Sequence, residues 1–404
     1  MRPGLTGPVS SILDSSFAAA ANLLAGLLAI RVLSTQGLAL YALLFSAAVA
    51  AMLVPSQMVY FVQRLDLNRR PPGALIPLRT SAARSTLHVI VVVAVTLASG
   101  LPILIDSGDP ALWLIGLSAA AWAAISPLQD HVRAQLHIAG RHSLATTASV
   151  VNFSVTVCTL FLALVVTGLG TYLLPFGALF ASNLISIAVA MLVSRNMPRI
   201  IDDWQVNWMT GVLTSLPAFL LQCAAYFTNV VVLVLLSEQA LAQLEAARVA
   251  AQPVFAIAVG LLGYFGPRLI RADAAGDKVA VRRALAQFSV TLGAFTSVLA
   301  ALLVGFPGFI AVVLGRPFDG LLAAARSVSF AARASSNVVE LMALGRRAYR
   351  RIIAVSAIAA ILSIALVPLL VPLIGVYSVP VALTAASATR FLALSSHGRG
   401  RSRD

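Results

Sequence analysis

The sequence predicts an all-α integral membrane protein of about twelve transmembrane helices, arranged as two six-helix bundles related by a pseudo-twofold axis along the membrane normal. Three observations carry this. First, the 404 residues are 60% apolar and only 10% charged, with a mean hydropathy of +0.94. A soluble domain carries roughly 25% charged residues, and a disordered chain needs low hydrophobicity, so lipid must be the main solvent. Second, the apolar stretches are continuous, as in VIVVVAVTLASGLPILI at 89–105 and NVVVLVLL at 229–236. A membrane barrel would instead alternate over segments of about ten residues. Twelve spans of about 20 residues use roughly 240 residues, which leaves no room for a separate soluble domain. Third, the two halves of the chain repeat one another.

The spans follow in order. The first, 11–32, starts polar at Asp14 and continues as a small-residue helix. Its apolar run from Phe17 to Leu33 is longer than a signal-peptide core and lacks a small-residue cleavage site, so it reads as a retained helix. The spans at 37–62, 85–105, 111–130, 144–167 and 171–193 complete the first half. The join, NMPRIIDDWQVNW at 196–208, places Ile200, Ile201, Trp204 and Trp208 at near-helical spacing. It reads either as a short interfacial helix or as a loop whose tryptophans sit in the headgroup belt. The second half holds spans at 209–236, 241–265, 285–305, 319–343, 352–372 and 374–394. The expected repeats are therefore 1–200 and 201–404.

Charge orients these spans. There are 28 basic and 14 acidic residues, a net +14. In a soluble domain such an excess would suggest nucleic acid; in a membrane protein it marks cytoplasmic loops, and no nucleic-acid partner is expected. One set of alternate loops carries Arg64, Arg69, Arg70, Arg79 and Arg84, then Arg133 and Arg141, Arg195 and Arg199, Arg268, Arg271, Lys278, Arg282 and Arg283, and Arg346, Arg347, Arg350 and Arg351. The opposite set has only Arg316, with Arg31 at its margin, and acids such as Asp106, Asp109, Glu238 and Asp319. Both termini are thus expected in the cytoplasm. Cys158 and Cys223 both lie in apolar runs and suggest neither a disulfide framework nor a metal site.

The repeat is textual. LSTQGLA at 33–39 recurs as LSEQALA at 236–242, an offset of 203. LHIAGR at 136–141 echoes LMALGR at 341–346, an offset of 205. Each pair falls at the same topological position. With six helices per half, the repeats share one orientation, and a substrate path is expected at their interface.

Polar residues inside the spans mark the candidate site. A charge at the centre of a span costs roughly 2.5–3.5 kcal/mol, so it faces a partner or a wet cavity. The tenth span carries Arg326, Arg333, Asn337 and Glu340 on one helical face, with Ser329 and Ser336 beside them. The eighth carries Glu245, Arg248 and Gln252, and the seventh Gln222, Tyr226 and Asn229. The first carries Asp14 and Asn22. The substrate-binding candidates are therefore Arg248, Arg326, Arg333, Asn337, Gln222, Tyr226, Asn229 and Gln252, with Arg248 expected on the wall opposite Arg326 and Arg333. The ion-coupling candidates are Asp14, Glu245 and Glu340. Plainer readings exist. Glu245 and Arg248 are spaced to pair along their own helix, Asp14 and Glu340 lie near enough to the inner side to snorkel or to pair with loop arginines, and Arg390 reads as a snorkelling flank residue. There is no Walker loop, dinucleotide turn or His/Cys metal spacing. His131, His137 and His142 do not share a helical face. No cofactor, metal or enzymatic step is therefore expected, and transport would be facilitated or driven by an ion gradient or the membrane potential.

LDSSFAAAANLLAGLLAIRVLSTQGLALYALL (13–44), VVLGRPFDGLLAAARSVSFAARASSNVVELMALGRRAYR (312–350) and LVPLIGVYSVPVALTAAS (370–387) resemble bacterial polysaccharide flippases of the O-antigen type. These belong to the multidrug, oligosaccharidyl-lipid and polysaccharide exporter superfamily. The resemblance covers both halves but is one of pattern, and the glycine of GLALYA is displaced from its usual place. It implies transfer of a polyprenyl-diphosphate-linked oligosaccharide, a polysaccharide repeat unit, from the inner to the outer leaflet of a bacterial cytoplasmic membrane by alternating access. The implied partners are that lipid-linked oligosaccharide, membrane lipids and the polysaccharide polymerase or glycosyltransferase proteins that use it. Arginine suits a diphosphate, and Asn, Gln, Tyr and Ser suit sugar hydroxyls. Three other readings stay open: an ion-coupled drug or small-molecule exporter of the same superfamily, which would prefer acids and aromatics; a membrane-embedded glycosyltransferase, which would need a larger polar outer loop than 306–318; and a non-transporting scaffold. The charge pattern sets a test. In a chain lacking Cys158 and Cys223, single cysteines at 34–37, 106–110, 237–240 or 306–318 should react with an impermeant maleimide outside the cell. Cysteines at 64–84 or 268–283 should be spared, and outside labelling of either basic loop would reverse the orientation.

Overall fold

The computed structural model of the chain describes residues 6–67, 75–162, 165, 170–198, 208–346 and 348–395. Most of the join that carries Ile200, Ile201 and Trp204 lies outside the described residues. Among them the chain is helical: α1 Thr6–Val32, α2 Thr35–Pro55, α3 Val62–Leu67, α4 Leu78–Ser107, α5 Pro110–Ile138, α6 His142–Leu162, α7 Gly170–Val193, α8 Trp208–Leu235, α9 Glu238–Ala274, α10 Lys278–Gly305, α11 Pro307–Leu314, α12 Gly320–Gly345, α13 Tyr349–Ile374 and α14 Ser378–Ser395. Among the described residues ten stretches are long and apolar enough to cross a membrane, and the last of them, Tyr349–Ser395, contains both α13 and α14. The tenth predicted span, α12, is not among the ten, since Arg326, Arg333 and Glu340 lie along it. Adding it gives the twelve long helices of a multi-pass membrane protein. Large apolar side chains such as Ile105, Val290, Ile361 and Leu373 point outward, as a lipid-solvated surface requires.

The helices overrun the apolar spans, mostly at their arginine-rich ends: α4 starts at Leu78 rather than 85, and α9 runs to Ala274 rather than 265. Side-chain caps stop the fraying at several starts. Ser34 Oγ accepts from Gly37 N at 3.0 Å and Ser237 Oγ from Ala240 N at 3.1 Å. The repeated LSxQxLA text is therefore a repeated N-cap. Asp109 and Asp319 cap the fourth long helix of each half in the same way, on Ala111 N at 2.8 Å and Leu322 N at 2.9 Å. The other echo is less uniform. Gly140 takes a left-handed φ of +74° after α5, whereas Gly345 stays helical at the end of α12, where the next residue, Arg346, is tied to Asp273.

The chain packs as two units, Met1–Gln222 and Cys223–Asp404. The division falls within α8, past the 200/201 join read from the sequence. The start of α8 lies so close to the first unit that a Cβ on Gly211 would stand 2.9 Å from Met58 Cα. In the first unit α2, α4 and α5 pack mutually and α7 packs on α5 and α6; in the second, α9, α10 and α12 pack mutually and α14 packs on α12 and α13. These are the same pairings between corresponding helices, which supports the duplication. Close approach rests on small residues. On α1, Ala21, Ala25 and Ala29 are fully buried. Tyr41, Trp122 and Phe176 fill the centre of the first unit, with Tyr41 and Phe176 centroids 4.5 Å apart. Phe265, Phe288, Leu292 and Val338 fill the second.

Two local departures from plain helix have clear causes. After Pro55, residues Ser56–Phe61 widen into a π-helical turn, and Arg64 returns its guanidinium to the Tyr60 and Ser56 carbonyls at 3.4 Å each. In the connection 306–318, Pro307–Leu314 forms a short helix that closes at Gly315 with φ +69°. The tightest glycine is Gly320, where a Cβ would stand 2.1 Å from the Leu303 carbonyl. Gly320→Ala should therefore separate α10 from α12 and destabilise by about 1–3 kcal/mol, read as a lower melting temperature in detergent. An unchanged melting temperature would refute this close packing.

Candidate functional site

The second unit holds the predicted charges, and α12 organises them. It packs against α9, α10 and α14. Along its length it presents Arg326, Arg333, Asn337 and Glu340 in turn. Arg326 is only 7% exposed, and its Nε and Nη1 have no hydrogen-bond partner. Its guanidinium lies 5.4 Å from the centroid of the Phe330 ring. It also lies in the electrostatic reach of Glu245, Arg248 and Arg333.

Glu245 and Arg248 come from α9, the immediate neighbour of α12. Arg248 grips Glu245 with two hydrogen bonds, at 2.8 and 2.6 Å, the intrahelical pairing that the spacing of three allows. Arg248 is therefore not on an opposite wall; it flanks Arg326 within the same unit. Gln252, one turn on, is buried, and its Oε1 is unsatisfied. Two packed helices thus present unpartnered guanidinium donors and an unpartnered amide acceptor. Burying such groups without partners is costly.

The C-terminal half of the stripe is differently occupied. Arg390 of α14 is 2% exposed and does not snorkel. It donates to Asn337 Oδ1 at 2.9 Å and to Ser336 Oγ at 3.3 Å, and it pairs with Glu340. Glu340 is likewise held rather than snorkelling. Asn337 and Glu340 therefore tie α14 to α12, and Arg333 lies within the field of that pair. Arg248, Arg326, Arg333 and Arg390 set against Glu245 and Glu340 leave two positive charges in excess, four minus two. Gln222, Tyr226 and Asn229 lie on one face of α8, with Asn229 buried and the other two half-buried.

Asp14 belongs to the first unit and is also buried. Its Oδ1 accepts from Ser149 Oγ at 2.5 Å, and its Oδ2 meets His137 Nε2 at 3.0 Å and Arg133 Nε at 3.4 Å. His137 Nδ1 lies 3.0 Å from His142 Nδ1. These residues come from α1, α5 and α6, and the separations in sequence, 123 between His137 and Asp14 and 135 between Ser149 and Asp14, hide the cluster from any local pattern. His131 is a separate, wholly buried member of a polar knot: its Nε2 is 3.1 Å from Ser81 Oγ and 2.6 Å from Gln135 Nε2, and its ring stacks on Tyr60. Among the described residues no group of three or more His, Cys, Asp or Glu side chains is arranged to hold a metal.

The fold matches solved structures over nearly the whole chain. An inward-facing multidrug resistance MATE family transporter of the MOP superfamily superposes with a TM-score of 0.69 at 15% identity, covering 94% of both chains. The fold is that of the MATE transporters. A MOP superfamily transporter from Pyrococcus furiosus, described as having a binding pocket of reverse polarity that suggests a different function, matches with a TM-score of 0.64 at 13% identity over 96% of this chain and 94% of that one. The eukaryotic MATE transporter AtDTX14 matches at 0.60 and 14% over 96% and 94%. No protein-family model and no curated protein sequence matches the chain, so the MATE likeness lives in the backbone.

Within this MATE fold the Arg390–Glu340 pair should be structural. Removing one partner of a buried pair costs about 3–5 kcal/mol, because the other charge is stranded. Arg390→Ala should lower the melting temperature sharply, and adding Glu340→Ala should restore part of the loss. A double variant as unstable as the single would show that the pair is not the source.

Proposed function

We propose that the chain is an exporter of the MATE-like fold that carries a polyprenyl-diphosphate-linked oligosaccharide from the inner to the outer leaflet. The observation that carries this reading is Arg326: a buried guanidinium with two unpartnered donor nitrogens, beside Arg248 and Arg333. A cation-exporting pocket would place acids there. A diphosphate diester carries two negative charges, which match the two-charge excess of the cluster. Arg326 and Arg333, seven residues apart and so roughly 10 Å along the helix, offer successive stations for the headgroup. Gln252 and the polar face of α8 suit sugar hydroxyls, while the lipid tail remains in the bilayer.

Coupling is assigned to Asp14 among the three acidic candidates, the one whose carboxylate faces an imidazole, His137, as well as an arginine, Arg133. A second reading, export of a drug or other small molecule, is favoured by the description of one matched structure as a multidrug resistance MATE family transporter.

One reconstitution separates the two. In proteoliposomes, a fluorescent polyprenyl-diphosphate glycan should be flipped by the wild type. Arg326→Ala and Arg333→Ala should reduce flipping at least tenfold with folding intact, and Arg333→Lys should keep part of it, since charge survives without the planar fork. Normal flipping by both alanine variants, or export of cationic dyes in place of the lipid, would overturn the proposal.

A further inference from the structure

A separate cavity of about 420 Å³ opens at the arginine-rich end of the second unit, among α9, α10, α12 and α14. Along α12 it is lined from Val339 onward, thirteen residues, roughly 20 Å, from Arg326, and it owes nothing to the transport reading. Its floor is apolar, made by Leu285, Met342 and Leu394. Its rim carries three cations, Lys278, Arg282 and Arg346, and two acids, Asp273 and Asp277. Both acids are committed. Asp273 is held by Arg346, whose Nε donates to it at 2.8 Å, and Asp277 caps α10 by accepting from Ala280 N at 2.9 Å. The exposed Lys278 and Arg282 belong to no ion pair among the described residues. The last lining residue, Ser395, is followed directly by a tail with Arg399, Arg401 and Arg403.

The volume falls in the range of ligand pockets, about 300–1,000 Å³. An apolar floor beneath a cationic rim at the end of membrane-spanning helices is suited to one kind of molecule, an amphiphile with an anionic head. Basic pockets between helices at a membrane face hold anionic headgroups in this way. We propose that this cavity binds an anionic glycerophospholipid, its phosphodiester between Lys278 and Arg282 and the start of an acyl chain over Leu285 and Met342. The lipid would bridge α10 to α12 and α14 and steady the inner end of the unit.

Thermal unfolding of the full chain in detergent tests this, with native mass spectrometry to count bound lipid. Phosphatidylglycerol should raise the melting temperature and remain bound, phosphatidylcholine should give less than about half that shift, and inorganic phosphate none. Lys278→Ala/Arg282→Ala should lose most of the phosphatidylglycerol shift. Arg283→Ala, a neighbouring arginine outside the cavity, should keep it. Ala343→Phe, which fills the cavity without touching the charges, should also lose it. Arg326→Ala should leave the lipid shift unchanged, which keeps this result distinct from the transport test. Equal shifts with phosphatidylcholine, reproduction of the shift by phosphate, full retention by the double variant, or equal loss in Arg283→Ala would each overturn the proposal.

Discussion

A guanidinium taken out of water without a full set of partners is among the most expensive things a helix can carry, and the second unit is arranged around that cost. Four arginines converge near α12, and only two carboxylates accompany them. Two of the four are met directly, Arg248 by Glu245 and Arg390 by Glu340. Those pairs dictate much of the packing: one fixes the polar face of α9, and the other locks α14 to α12. What remains is Arg326, with donor groups unused, and Arg333 between the two pairs. An arrangement that satisfies some buried charges and leaves others open is poor for stability alone. It becomes reasonable if an anion arrives to complete it.

The first unit answers the same constraint in the opposite way. Its buried charge, Asp14, is satisfied from several sides by Ser149, His137 and Arg133, and its buried imidazole, His131, is held by Ser81 and Gln135 against Tyr60. The two units share a pattern of helix pairing and two pairs of matching caps, yet they differ in polar content. On like-paired helices the two units carry different electrostatics: a neutralised acid in one and a cationic stripe in the other.

Much of this was readable along the chain. Continuous apolar runs located the long helices other than α12, because a span must be solvated by lipid over its whole length. The repeated LSxQxLA text marked equivalent helix starts, because a serine cap works through the backbone two or three residues ahead of it and so leaves a local trace. The stripe on α12 was visible because helical periodicity alone places Arg326, Arg333, Asn337 and Glu340 on one face. Arg390 was misread as a flank residue, since its distance from the helix end says nothing of what packs over it. The Asp14 cluster was invisible, as its members are more than a hundred residues apart in sequence.

The sequence by itself determined the solvent, the helix count, the repeat and the face on which the charges lie, since these follow from hydropathy, period and capping, which act over a few turns. Only the tertiary structure decided which charges are partnered. It turned Asn337 and Glu340 toward Arg390, set Arg248 beside Arg326 rather than across from it, and left the Arg326 guanidinium open. Pairing depends on which helices meet and at what depth. That is settled by the fit of small residues such as Ala25 and Gly320 between helices, a property of whole surfaces in contact that no single stretch of sequence contains.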